Sequence, residues 1–280
     1  MSRIVFVNGS YLPFEEAKLP IMDRGFLFAD GIYEVSAVVN GRLVDNEAHL
    51  ARLDRSLSKI DIINPHTTAE WIAIENELIS RNDLKEGSVY MQVTRGVAER
   101  DFAFDRNLKP TVVAFTQPKN LIDNPKAQTG GTAISMPDLR WKRRDIKSIG
   151  LLGQVLAKQA AAEAGAVEAL MVEDGYVTEG GSSTVFIIVG NRVVTRPLSN
   201  AVLPGITREA LLKLSREKDL VVEERLFTVE EAIKADEVFI TSATSFVMPI
   251  VAIDGKQVGT GEVGPLVKRL RALYIDLASA

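Results

Sequence analysis

Cysteine is absent from this 280-residue chain, which removes disulfides, thiolate metal sites and cysteine nucleophiles together. Histidine is almost as scarce. With only His49 and His66, a histidine-rich metal centre is excluded, and a Ser-His-Asp triad would have to use one of the two. No apolar run approaches the ~18 residues of a membrane span, and the opening segment MSRIVFVNGSYL lacks the apolar block of a signal peptide. Neither sign of charge dominates: 33 Lys and Arg against 37 Asp and Glu leave a net −4, which recommends neither nucleic acid nor a membrane as partner. The 46% hydrophobic and 25% charged residues are those of an ordinary soluble enzyme, and a cytoplasmic location is expected. The chemistry must come from Lys, Arg, Asp, Glu, Tyr, Ser or a cofactor.

What is present reads first as strands and turns. Ile4–Val7, Asn8-Gly9 and a second short strand form one hairpin signal; residues 35–39, Asn40-Gly41 and residues 42–44 form another. Leu50, Leu53, Leu57 and Ile60 recur at helical spacing and predict a helix over residues 47–60, with a second over 67–82. Residues 88–95 and 110–116 read as strands joined by the charged loop VAERDFAFDRNLK. The polar stretch KNLIDNPKAQTGG, residues 119–131, is expected to be a linker between a small N-terminal α/β domain (1–118) and a larger C-terminal domain (132–280). In the latter, residues 150–164 and 205–218 predict helices, while 169–173, 176 onward, 185–194, 221–227, 238–241 and 250–257 predict strands. Thr228-Val229-Glu230-Glu231 carries a capping-box pattern, Asp254-Gly255 a turn, and a helix closes the chain. The order is neither regular βαβ nor repetitive, so an α+β protein of two domains is expected.

Three short stretches and one arginine carry chemical signals. In RRDIKSIG, residues 143–150, Lys147 sits between Ile146 and Ile149 just before a helix that must pack. Alone it reads as a surface lysine, the common case. Buried, its ammonium would be disfavoured by desolvation and by Arg143 or Arg144, and a neutral amine attacks carbonyls to form Schiff bases. In TEGGSSTVF, Glu179 precedes five small residues and an apolar strand. This is either a glycine turn or a place where backbone approaches a flat ligand while a carboxylate meets its basic atom. In LPGITR, Ile206 and Thr207 open a helix whose free amides suit phosphate, or are merely capped. Arg52 borders the buried stripe of its helix, covering the core edge or forking onto a phosphate. Together these supply an amine, a carboxylate for a pyridine nitrogen, a phosphate site and an arginine, which is the set pyridoxal 5′-phosphate requires.

The chain resembles the class IV aminotransferases, the fold type IV pyridoxal phosphate enzymes, and within them the D-amino acid group. The resemblance runs nearly end to end, through Asp23-Arg24-Gly25, Asp30-Gly31-Ile32-Tyr33-Glu34-Val35, His49 with Arg52-Leu53, Val93-Thr94-Arg95-Gly96, Arg140-Trp141, Asp145-Ile146-Lys147-Ser148, Thr178-Glu179-Gly180 and Gly205-Ile206-Thr207-Arg208. It implies that Lys147 is the Schiff-base lysine and the acid–base between the substrate α-carbon and the cofactor. It also implies that Glu179 pairs with the pyridine nitrogen, and that Arg52 with the Ile206 and Thr207 amides holds the phosphate. Tyr33 is expected near the lysine and the substrate, the cofactor between the two domains, and a homodimer as the working unit.

Two departures from the family pattern bear on the expected site. Ala243, in Thr241-Ser242-Ala243-Thr244-Ser245, stands where the family has a second phosphate threonine, so Ser242 or Thr244 is expected to substitute. Tyr33 and Arg100 match the group that holds the substrate carboxylate, but Phe102 stands where the D-specific enzymes have a histidine, and Asp101 sits beside Arg100. The implied activity is transfer of an amino group from a D-alanine-type donor to a 2-oxo acid such as 2-oxoglutarate. Phe102 and the apolar Phe246-Val247-Met248 favour an (R)-selective amine transaminase as the alternative, ahead of a branched-chain L-amino acid transaminase or an aminodeoxychorismate lyase.

Overall fold

Asn8-Gly9 joins β1 (Ile4–Val7) to β2 (Ser10–Pro13) with φ of 47° and 94°, the left-handed pair that a two-residue type I′ hairpin demands. Asn40-Gly41, at 52° and 74°, repeats the device later in the same sheet. The computed structural model describes every residue except 1, 219 and 280. The chain divides into two compact units, Met1–Asn120 with Ile146–Gly150, and Leu121–Asp145 with Leu151–Ala280.

The first unit continues through α1 (Arg24–Phe28), β3 (Gly31–Val39), β4 (Arg42–Leu43), α2 (Asn46–Ser58), α3 (Thr68–Arg81), β5 (Gly87–Thr94) and β6 (Thr111–Pro118). Its six strands run in the order β2-β1-β6-β5-β3-β4, every pairing antiparallel. Leu50, Leu53 and Leu57 of α2 and Trp71, Ile74 and Leu78 of α3 pack on one sheet face, against Ile32, Val38, Val89, Met91 and Val93. Burying each leucine contributes about 1.5–3 kcal/mol. Thr67 and Glu70 cap α3 reciprocally.

β4 spans only two residues, so the first half of β3 keeps an open edge. The segment after Asp145 fills it. Tyr33 N–H donates to the Lys147 carbonyl at 2.9 Å, Ile149 N–H donates to the Gly31 carbonyl at 3.1 Å, and Ile32 bridges Ser148 in antiparallel sense. Gly31 is required beside this edge, because a Cβ there would lie 2.6 Å from the Val93 carbonyl oxygen. Ile146 then enters the core of the first unit. The expectation that the lysine belongs to the C-terminal domain is therefore corrected: residues 146–150 belong to the first unit and bond along the open edge of β3.

The second unit runs through α4 (Pro125–Thr129), β7 (Gly131–Pro137), α5 (Leu152–Glu163), β8 (Glu168–Glu173), β9 (Tyr176–Gly180), β10 (Thr184–Val189), β11 (Arg192–Thr195), α6 (Ile206–Glu217), β12 (Val221–Glu224), α7 (Val229–Lys234), β13 (Glu237–Ser242), β14 (Phe246–Ile253), β15 (Lys256–Gln257) and α8 (Pro265–Ser279). A sheet in the order β12-β11-β10-β13-β14-β7-β8-β9, with β15 on β14, mixes parallel and antiparallel pairs. Helices beside mixed and antiparallel sheets make the fold α+β, as the sequence predicts.

Three details differ from the sequence reading. Residues 119–131 do not form a bare linker: Asn124 accepts the Lys126 N–H and Pro125 takes the first position of α4, so Asn-Pro is a helix start here. The single strand expected over 185–194 is two, turned at Gly190 with φ 60°. At Thr228 only half of the capping box forms, since Thr228 accepts the Glu231 N–H while the Glu231 carboxylate bonds Arg225. Among the described residues no helix is long and apolar enough to cross a membrane.

Candidate active site

The edge pairing of the lysine segment sets its side-chain directions. Strand alternation sends Ile146 into the core and puts Lys147 on the opposite face with Tyr33. The Lys147 Nζ stands 4.1 Å from the centre of the Tyr33 ring, a cation–π distance, and among the described residues no carboxylate pairs with it. Arg143 and Arg144, expected as its cationic neighbours, are engaged by Asp145 and by Glu173 and Asp138. Tyr33 stacks on Tyr90, which stacks on Phe115, so its ring belongs to an aromatic row that fixes its plane.

Arg52 lies on the other face, where α2 covers the sheet. Its Nε and Nη2 fork onto Glu34 Oε1 and Oε2 at 2.7 and 2.8 Å, and His49 Nδ1 lies 2.9 Å from Glu34 Oε2. Burial alone would push the Glu34 carboxyl up, but Arg52 and His49 overcome it and hold it well below the usual carboxylate range. Glu34 was not singled out in the sequence. The signal was available, since strand alternation puts this charged residue on the core face with Ile32 and Ser36.

The polar cluster extends one step further. Ser36 donates to Asn46 Oδ1 at 2.8 Å, Asn46 Nδ2 donates to Glu75 Oε2 at 2.6 Å, and the fully buried Glu75 leaves Oε1 without a partner. Burial raises this carboxyl to about 7, helped by the neighbouring Glu34 charge and opposed by the Asn46 and Ser36 bonds. Between the ordinary carboxyl value of 4.5 and about 7, the folded protein thus holds a proton that the unfolded chain has released. Stability therefore declines as pH rises through that window, by about 3 kcal/mol in total. Glu75→Gln, neutral at every pH, is expected to remove that decline and to melt several degrees above the wild type at pH 8. Thermal midpoints at pH 5 and 8 check this, and an unchanged slope would refute it.

Arg100 and Phe102 sit on a loop that two buried arginines hold. Arg24 donates to the carbonyls of Asp101 and Phe102, Arg95 lies 3.6 Å over Phe104, and both arginines share Asp30. The Arg100 guanidinium lies 5.3 Å over Phe28 and 5.8 Å from Phe102, whose ring is 79% exposed. Asp101 does not neutralise it: that carboxylate accepts the Ala103 N–H, and among the described residues none pairs with Arg100. Among the described residues no hydrogen bond, ion pair or ring contact joins Arg100 or Phe102 to Lys147 or Tyr33.

In the second unit, Glu179 near the end of β9 is buried, with Oε1 accepting from Arg140 Nη1 and Oε2 from the Leu203 N–H at 3.0 Å. Burial pushes its carboxyl up, and Arg140 and the Leu203 amide oppose this. Leu203 leads directly to the N-terminus of α6, where Ile206 and Thr207 are buried and no side chain caps the helix. Gly205 is required there: a Cβ would lie 2.8 Å from Thr184 Oγ1. Thr184 pairs in register with Thr241, whose buried Oγ1 has no hydrogen-bond partner.

Of the two hydroxyls expected to replace the missing threonine, Ser242 is committed to its own turn, bonding Ser245 Oγ at 2.7 Å and accepting the Ser245 N–H at 3.1 Å. Thr244 stands half-buried in that turn. Phe246, Val247 and Met248, whose apolar character favours the amine alternative, are buried. The small residues after Glu179 also have a packing role, since a Cβ at Gly180 would strike Ser183 Oγ at 2.1 Å and the buried Glu168 carboxyl at 3.0 Å.

Comparison with known proteins shows the family and the fold. The family model for amino-transferase class IV matches residues 31–253. D-alanine aminotransferase of Bacillus licheniformis is 42% identical over 269 residues, 95% of this chain and 94% of its own. That of Staphylococcus haemolyticus is 40% identical over 270 residues, 95% of both chains. The chain belongs to the class IV aminotransferases. The fold of this class IV aminotransferase is shared with the Escherichia coli branched-chain amino acid aminotransferase structure, with a TM-score of 0.91, 22% identity, and 100% and 95% of the two chains covered.

Proposed function

We propose that this class IV aminotransferase moves an amino group from a D-amino acid of the D-alanine type to a 2-oxo acid such as 2-oxoglutarate, with pyridoxal 5′-phosphate as cofactor. The observation that carries this reading is 42% identity over 95% of the chain with a D-alanine aminotransferase, combined with a lysine amine that pairs with no carboxylate among the described residues. The branched-chain alternative has fold likeness at 22% to 26% identity behind it, well below the 42% of the D-alanine aminotransferase. Arg100, which pairs with no carboxylate among the described residues, favours a substrate with a carboxylate, and burial of Phe246, Val247 and Met248 weakens one argument for neutral amines.

The donor set fits the cofactor. The uncapped α6 N-terminus, a glycine where a side chain would collide, and the unpartnered Thr241 hydroxyl suit a phosphate. The buried Glu179 carboxylate suits a pyridine nitrogen. When bound, the cofactor supplies an electrophilic carbonyl carbon and a protonated ring that accepts electrons. In this reading the Lys147 Nζ would hold the cofactor covalently until the substrate amine displaces it, and the freed amine would move the proton from the substrate α-carbon to the cofactor C4′. Tyr33 fixes the direction of that amine. Arg52, Ile206 and Thr207 hold the phosphate, with Ser242 or Thr244 in the lesser part expected of them. Arg100 receives a substrate carboxylate beside Phe102.

A homodimer is the proposed working unit, and the exposed Leu152, Val155 and Leu156 on one face of α5 support it. The test is the visible spectrum of cofactor-loaded protein before and after D-alanine, with L-alanine alongside. D-alanine is expected to bleach the lysine-bound band and L-alanine to leave it. A band that survives D-alanine would overturn the substrate assignment.

A further inference from the structure

Behind Glu179 the second unit holds a chain of charges that alternates in sign over five residues. It begins at Glu173, whose carboxylate accepts from Arg144 Nη1 and Nη2 at 2.8 and 3.0 Å. Arg144 Nη1 also lies 3.4 Å from Asp138 Oδ2. Asp138 takes a fork from Arg140, Nε to Oδ1 at 2.9 Å and Nη2 to Oδ2 at 2.7 Å, and a third bond from the Thr178 hydroxyl at 2.6 Å. The remaining guanidinium nitrogen of Arg140, Nη1, donates to Glu179 Oε1 at 2.5 Å.

The Asp138, Arg140 and Glu179 side chains are 0%, 5% and 6% exposed. Apolar side chains of the same volume would stabilise such a place at least as well, because each buried ion loses its hydration. Stability therefore gives no reason for the chain, and its inner end on Glu179 does.

Resting on the transaminase reading, we infer that Arg140, oriented by Asp138, is the positioning residue that gives Glu179 its countercharge and aims it at the ring nitrogen of pyridoxal phosphate. Asp138 fixes two of the guanidinium nitrogens, so the third has one direction left, and Leu203 N–H holds the second Glu179 oxygen. Burial pushes Glu179 toward its neutral form, and among its neighbours Arg140 is the main opposing group. A neutral acid at that place would leave the ring nitrogen without the anion that keeps it protonated. Lysine in place of Arg140 supplies a charge without the fork.

The experiment measures pyridoxal phosphate dissociation constants and the visible circular dichroism of the loaded protein for the wild type, Arg140→Gln, Arg140→Lys, Glu179→Gln and the Arg140→Gln/Glu179→Gln pair. Arg140→Gln is expected to weaken cofactor binding about tenfold and to reduce the dichroic band, and Arg140→Lys to recover part of both. In the Glu179→Gln background the Arg140 change is expected to add almost nothing. Effects that multiply independently, or no recovery with lysine, would overturn the inference. Should Arg140→Gln fail to fold, Asp138→Asn in both Glu179 backgrounds gives the same comparison. A wild type that binds no pyridoxal phosphate would instead bring down the transaminase reading itself.

Discussion

Lys147→Ala is expected to lower transamination by at least about 10³-fold and to abolish the visible band of lysine-bound cofactor. The amine has two tasks in the proposed reaction, covalent attachment and proton transfer, and among the described residues no other lysine stacks on Tyr33. The fold should tolerate the change. The segment is held by the Lys147 carbonyl, the Ile149 amide and the buried Ile146 side chain, none of which the substitution removes. The side chain itself is only half-buried, and losses at such positions are usually small. Melting midpoints of the two proteins should therefore agree closely while steady-state rates with D-alanine and 2-oxoglutarate separate them. Full turnover in the alanine variant would remove Lys147 from the chemistry.

Arg52→Ala is expected to cost the first unit about 3–5 kcal/mol, because it leaves a buried carboxylate without its forked partner. Glu34 is 0% exposed, and without Arg52 only His49 remains to offset its desolvation. The sign with pH follows. In the wild type Glu34 is held below its usual range, so its contribution is present above the ordinary carboxyl value and is lost as pH falls through the lowered one. In the variant burial dominates, so the penalty should grow as pH rises. Urea midpoints at pH 5 and 8 measure both effects, and the gap between variant and wild type should be wider at pH 8. Arg52→Ala/Glu34→Gln should recover much of the loss, since no bare charge is then buried. Equal midpoints for wild type and Arg52→Ala would show that the pair contributes nothing. Weaker pyridoxal phosphate binding in a folded Arg52→Ala protein would separately support its phosphate role.

The sequence by itself determined what depends on neighbours within a few residues. Asn8-Gly9, Asn40-Gly41, Asp174-Gly175 and Asp254-Gly255 all turn with both residues at positive φ, because only such residues adopt that backbone without strain. The helices carrying Leu50, Leu53 and Leu57, and Ile206 and Thr207, lie where spacing and punctuation put them. The oddness of Lys147 was legible for the same reason: a lysine directly after Ile146 and two residues before Ile149. Its direction was not, because that comes from an open strand edge left by the two-residue β4 and filled by a segment far along the chain. Tertiary structure alone decided which charges meet. Arg52 found Glu34, Glu75 was sealed with one oxygen unpartnered, and Arg140 was forked by Asp138 onto Glu179. In each case burial makes an unpaired charge costly, and only the folded chain can say which group is near enough to offset it.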